Sequence, residues 1–292
     1  VRFLRAYYYF ELVKRYGNVP LITKTLDREE ANTVSPSSIE DIFKFIIDEC
    51  TEVADSLPNK ATSLPGANAN MQRISRGVAL ALKSRATLYW ASPLFNKGND
   101  ENRWKAAAEA SNEVISKASD FGYALDANYG NLFGATNNQS VEVIMCRPEG
   151  KTTRFEAANY PMGVKNGKGS TCPSENLVSA YEMKDGSQFD WNNPAHAADP
   201  YSNRDPRMRM TIVCNGMNWP AKVPVETFVG GQNGQPLLNA TTTGYYLKKY
   251  LNNQITFETG QTTNKFDHNW VIFRYAEILL NYAEAACHAY GP

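Results

Sequence analysis

Residues 77–119, GVALALKSRATLYWASPLFNKGNDENRWKAAAEASNEVISKAS, decide how the chain is read. Val78, Leu82, Ala86 and Tyr89 fall four, four and three residues apart, which lines them along one face of a helix. Pro93 stops that helix, because it cannot continue the backbone hydrogen bonds. Trp104, Ala107, Ala108, Ser111, Val114, Ile115 and Ala118 repeat the same period, with Asp100 or Asn102 as N-cap. Small residues on the second face let a neighbouring helix approach closely. Two such helices in sequence predict a packed hairpin, and the chain reads as mainly α.

Working outward, one face of 2–16 carries Phe3, Ala6, Tyr7, Phe10 and Val13, and another carries Leu4, Tyr8, Leu12 and Tyr16. A helix apolar on two faces is expected to be buried on most sides. Gly17 ends it. Ser35-Pro36 reads as a cap followed by Pro at the first helical position. Ile39, Ile42, Phe43, Ile46, Cys50, Val53, Ala54 and Leu57 then form an amphipathic face closed by Pro58. Residues 59–72, rich in Ala, Asn and Gly, read as a loop. The hairpin of 77–119 resembles a tetratricopeptide hairpin, with a longer connection from Ser92 to Asn102 than that repeat's tight turn.

After Tyr123 the character changes. Polar, Gly-containing loop surrounds Tyr129, Leu132 and Phe133; Val141–Cys146, Thr211–Cys214 and Tyr245–Leu251 read as short strands, and Ser174–Met183 as a short helix. Most of 185–244 is loop. A loop region this long that retains Phe189, Trp191, Trp219 and Phe228 is expected to be functional. Val271–His288 returns to helix through Val271, Tyr275, Ile278, Leu279, Tyr282, Ala283 and Ala286. The expected organisation is one domain: a helical scaffold over 1–122, a loop-rich, ligand-facing module over 123–268 with a few short strands, and a returning scaffold helix over 269–292.

Composition narrows the function classes. Thirty basic and 30 acidic residues cancel, so neither nucleic acid nor an anionic membrane surface has an electrostatic footprint to meet. Five dispersed cysteines with no Cys-x-x-Cys pair disfavour a disulfide framework and a zinc site. His196, His268 and His288 share no ligand spacing; no metal and no cofactor is expected, although a calcium site built from carbonyls leaves no sequence trace. No run reaches the roughly 18 apolar residues of a membrane span. Val1 already lies inside a helical pattern and Gly291-Pro292 follows a helix, as expected of a piece of a longer protein.

Several segments are similar, in order, to those of SusD/RagB-type nutrient-binding lipoproteins of Bacteroidetes. They are Phe3–Phe10 with Tyr16–Leu21, Lys83–Arg85 with Ser92–Asn96 and Trp104, Pro173–Val178 with Tyr181–Met183, Asp199–Tyr201 with Asn203–Arg207, Thr243–Leu247, and Phe273–Ala285. The resemblance implies a SusD-like fold, mainly α with tetratricopeptide-like hairpins and a loop-rich ligand face. It also implies a lipid-anchored protein at the outer-membrane surface that passes captured nutrient, usually an oligosaccharide, to a SusC-like TonB-dependent transporter. The anchor and the flanking segments lie outside this chain.

Sugar capture without chemistry needs flat aromatic faces for the apolar side of the rings and amides for the hydroxyls. Two loops supply that mixture: Phe189, Trp191, Asn192 and Asn193 on one, and Asn218 and Trp219 with Phe228 further on in the other. The bland reading is that these aromatics plug their own loops onto the scaffold. Asp185, Asp190, Asp199 and Asp205 raise glycosidase chemistry, but Arg204, Arg207 and Arg209 surround Asp199 and Asp205, and an ion-pair network fixing the turn fits better. Arg274 and Glu277, three apart, read as a structural pair. No catalytic residue is expected. The alternatives to glycan capture are a peptide-capturing RagB-like protein, a helical-repeat adaptor and a glycosidase.

Overall fold

A computed structural model describes residues 1–59, 73–257 and 264–291. The loop expected at 59–72 lies almost wholly outside the described residues. The chain forms two compact units, one of Val1–Ala127, Asn138–Arg147 and Val271–Pro292 and one of Asn128–Asn137 and Pro148–Trp270.

In the first unit, α1 (Arg2–Tyr16) packs on α3 (Ile39–Asp55), α3 on α4 (Arg76–Ala91), α4 on α5 (Glu101–Ser116), and α5 on α11 (Tyr275–Tyr290), with two short helices, α2 (Arg28–Thr33) and α6 (Ala118–Phe121), beside them in sequence. α4 sits in the middle of this array and is buried nearly all round, including Val78–Leu82, Ala86 and Leu88. Each fully buried Leu, Ile or Phe in such a core contributes about 1.5–3 kcal/mol. The expected hairpin is present, with Asp100 as the cap of α5 through the Asn102 amide. Gly77 is required at the entry to α4, because a Cβ there would lie 2.3 Å from the Tyr123 hydroxyl.

A polar thread crosses this apolar core. Ser84 Oγ and Ser111 Oγ lie 2.8 Å apart, and Asn281 Nδ2 donates to Ser84 Oγ at 3.1 Å. It ties α4, α5 and α11 in one register, since a slip would leave buried polar atoms without partners. Arg85 grips both oxygens of Glu277 and donates to the Ile272 carbonyl.

Four sequence expectations are corrected. On α1 the Phe3, Ala6, Phe10 and Val13 face is buried, but Leu4, Tyr8, Leu12 and Tyr16 are exposed, because α3 and α4 take only one side of the helix. The cap of α3 is Ser38 and not Ser35: the Ser38 hydroxyl accepts from the Asp41 amide, and the Ser37 amide, just before it, donates to the Val19 carbonyl. Val271–Arg274 is strand, part of β4 (Phe266–Arg274) paired with β1 (Val143–Thr152); three successive bulky residues favour pleated packing, and helix begins only at Tyr275. Arg274 therefore does not pair with Glu277 along a helix; it binds Glu142 at 2.6 Å.

The second unit carries short elements: α7 (Arg154–Asn159), α8 (Glu175–Ser179), α9 (Pro194–Ala198), α10 (Pro206–Thr211), and β2 (Ile212–Val213) antiparallel to β3 (Tyr246–Leu247). The β2 and β3 segments fall within two of the expected strands, and α8 within the expected helix. Tyr160, Val213, Trp219, Val225 and Tyr246 form one core here, and Val178, Met208, Ile212, Cys214 and Tyr245 another.

Candidate functional site

The loop after α8 carries the first group of expected residues, and buried groups hold it from behind. Arg204 is 3% exposed and donates to the carbonyls of Val178, Tyr181 and Pro200. Its guanidinium lies 4.0 Å from the ring centre of Phe189, whose own ring stacks on His196. A buried Arg with carbonyl partners and an aromatic lid is a rigid support.

Trp191 meets Phe189 edge to face at 5.0 Å. Its indole Nε1 donates to Glu175 Oε1 at 3.0 Å. Glu175, in the first turn of α8, also accepts from the Ser179 and Tyr245 hydroxyls, each at 2.7 Å. Burial alone would raise the Glu175 carboxyl, but those hydrogen bonds hold it below the usual range. Burial and the same carboxylate push the Tyr245 hydroxyl far above the ordinary tyrosine value. The indole is thus fixed at its polar edge while 46% of Trp191 stays open to solvent.

Asn192 and Asn193 sit beside it, both exposed. The Asn192 amide donates to Asp190 Oδ1, which orders the turn, and Asn193 Oδ1 caps α9 through the Ala195 amide. Each retains hydrogen-bonding capacity on the solvent side.

The second group does not join them. Trp219 is 6% exposed and packs edge-on against Tyr160 at 5.5 Å, so its ring is core and presents no face to a ligand. Burial favours the bland reading for Trp219. Asn218 and Phe228 are exposed on the 215–228 loop, and among the described residues no ring contact links Phe228 to Phe189 or Trp191. The ion-pair network expected around Asp199 and Asp205 reduces to one pair, Asp205 with Arg207; Arg204 and Arg209 hold carbonyls instead, and Asp199 accepts from the Ser202 amide.

Sequence reading missed a second aromatic surface. Tyr250 stacks on Trp270 with centroids 4.8 Å apart, and Phe133 meets Tyr250 edge-on at 5.0 Å. Trp270 is 51% exposed. Tyr250 has φ of 69°, a left-handed backbone that is costly for a bulky residue and needs its surroundings to hold it. The available signal was the run of aromatic and β-branched residues Trp270–Phe273, a composition that favours strand.

Behind this surface Glu156 is fully buried. Its Oε1 accepts from the Asn252 amide and lies 2.8 Å from His268 Nε2, and His268 Nδ1 faces the Phe266 carbonyl. With an acceptor at each ring nitrogen both imidazolium N–H groups are hydrogen-bonded, and the Glu156 hydrogen bond raises the His268 pKa above its ordinary value against the opposing effect of burial. Among the described residues no three His, Cys, Asp or Glu side chains gather as a metal set.

The chain thus combines a helical array with a loop-rich unit that presents a fixed, half-open indole. The sequence model of the SusD family matches residues 106–292, well over half of the chain, and the chain belongs to that family. The similar segments before residue 106 lie outside that match, but the fold likeness extends across them. A SusD-like carbohydrate-binding protein of Bacteroides fragilis is 27% identical, with a TM-score of 0.79 over 98% of this chain and 54% of its own. A second SusD-like protein of that species is also 27% identical, with a TM-score of 0.80 over 99% of this chain and 57% of its own. SusD-like protein P2 of Formosa agariphila is 26% identical over 141 residues, 48% of this chain and 24% of that protein. The chain therefore spans about half the length of the two similar structures.

Proposed function

We propose that this chain captures a glycan at the surface of the outer membrane, with no covalent step, and belongs to a lipid-anchored protein that delivers the sugar to a SusC-like TonB-dependent transporter. The Trp191 indole carries the reading: Glu175 fixes its edge, so the open face can stack on the apolar side of a sugar ring without a large ordering cost. Asn192 and Asn193 flank it as partners for hydroxyls, and Phe189 supports it from below. Asn218 and Phe228 belong to a separate part of the ligand face. Membership of the SusD family and the carbohydrate-binding description of the similar B. fragilis protein support the same class of ligand.

The strained Tyr250 and its stack with Trp270 favour a second reading, in which that surface is the platform. Affinity gel electrophoresis against a polysaccharide panel, with Trp191→Ala and Trp270→Ala, separates the two. Retardation by one glycan that Trp191→Ala loses is the expected result. Loss only in Trp270→Ala moves the platform to the second surface, and no retardation by any glycan contradicts glycan capture and favours a peptide.

A further inference from the structure

Arg204 has a second side. Together with Lys184, Arg209 and Lys248 it lines an open recess of about 450 Å³ whose remaining lining is Tyr201, Ser202, Asn203, Pro206 and Met210, with no acidic residue among them. Four cations around one concavity normally have carboxylates to answer them. The nearby acids make their hydrogen bonds elsewhere: Asp205 with Arg207, Glu182 with Gln188, Asp185 with Ser187 and Asp199 with the Ser202 amide, while Glu175, whose charge supports that of buried Arg204, is held by Trp191, Ser179 and Tyr245.

The cations themselves bind only carbonyls. Arg209 Nε donates to the Tyr201 carbonyl at 3.2 Å, and Lys248 Nζ donates to the Arg209 carbonyl at 2.7 Å, which leaves donors on both. The Lys184 amide donates to the Asn203 carbonyl at 2.7 Å, which keeps Lys184 in the lining of the recess. Burial and the charge of Arg209 push Lys248 below the ordinary lysine value, so these cations repel one another across the recess. A bound anion relieves that repulsion and uses the spare donors.

Place narrows the ligand. Arg204 forms part of the recess wall and also lies 4.0 Å from Phe189, whose ring is 5.0 Å from Trp191, so two ring contacts join the recess to the open indole. We propose that the recess formed by Lys184, Arg209 and Lys248 beside Arg204 is a subsite for the anionic substituent, carboxylate or sulfate, of an acidic sugar whose neighbouring residue stacks on Trp191. The inference rests on the glycan-capture reading and names the substrate class of that site. The overall charge of the chain, which is zero, concealed it: the cations are gathered while their balancing acids lie elsewhere.

The test uses matched pairs of oligosaccharides: oligogalacturonate against its carboxyl-reduced form, and sulfated carrageenan oligosaccharide against its desulfated form. Binding of the whole chain is followed by calorimetry at low and high salt. The expected result is a preference of about tenfold or more for the acidic member of at least one pair, as charge-assisted hydrogen bonds give, weakened by salt. The pair that responds distinguishes carboxylate from sulfate. In Arg209→Ala/Lys248→Met that preference disappears and the acidic member falls to the affinity of its neutral partner, with the melting temperature of the variant reported alongside. Lys248→Arg keeps the preference. Neutral members held as tightly as acidic ones, or an acidic preference that survives the double variant, overturns the subsite while leaving glycan capture standing. Binding of none of the four probes or of any neutral glycan overturns both.

Discussion

Glu175 decides how much of Trp191 a ligand can use, because it fixes the indole edge and leaves the face open. In Glu175→Ala the indole loses its anchor and must be ordered on binding, at about 0.5–1.5 kcal/mol for one side chain, so glycan affinity is expected to fall up to about tenfold, alongside a stability loss of about 1–3 kcal/mol from the buried Tyr245 hydroxyl that loses its acceptor. Calorimetry with the retained glycan checks this, and an unchanged affinity would remove the anchoring role. His268 carries a pH dependence. Its folded pKa is raised, chiefly by the Glu156 hydrogen bond, so the pair contributes stability that is full below the unfolded value of about 6.5 and is lost as pH rises through the folded value. Denaturant unfolding is expected to show stability decreasing with rising pH in that window, and His268→Gln is expected to flatten the dependence. Neither Glu175 nor Glu156 was singled out from sequence, because their partners, Tyr245 and Trp191 for one and His268 and Asn252 for the other, are distant along the chain.

At the scale of elements, the Ser111–Ser84–Asn281 thread fixes how α4, α5 and α11 align. Asn281→Ala leaves Ser84 short of a buried partner and is expected to cost about 1–3 kcal/mol in urea unfolding, with no change in glycan retention. In the second unit Trp219 acts as core. Trp219→Ala is expected to destabilise the chain by about 3–5 kcal/mol, and a thermal melt that barely moves would contradict its burial. The helices were legible because burial on one side imposes a 3.6-residue period, as on α3 and α5. Strand at Val271–Arg274 was missed because four residues carry too little period to separate a strand from the helix that follows. The exposed second face of α1 was misread for a different reason: apolar spacing reports which residues share a face and not whether anything covers it.

For the whole molecule, family membership and fold were readable from ordered segments spread along the chain, and both B. fragilis structures share the fold over nearly its full length. The candidate site was legible only in part. Loop placement and composition pointed to Phe189, Trp191, Asn192 and Asn193, which the fold gathers, but the same criteria could not tell the core Trp219 from the open Trp191, nor find Trp270 in the middle of β4. The separation depends on tertiary neighbours, Tyr160 over one ring and solvent over the other. Because the chain has five tryptophans, its indole N–H signals can be followed together in tryptophan-labelled protein during titration with the glycan that retards it. The account predicts that the Trp191 signal, assigned through Trp191→Phe, shifts with saturation while that of Trp219 stays in place. A saturating titration that leaves the Trp191 signal unmoved would contradict it.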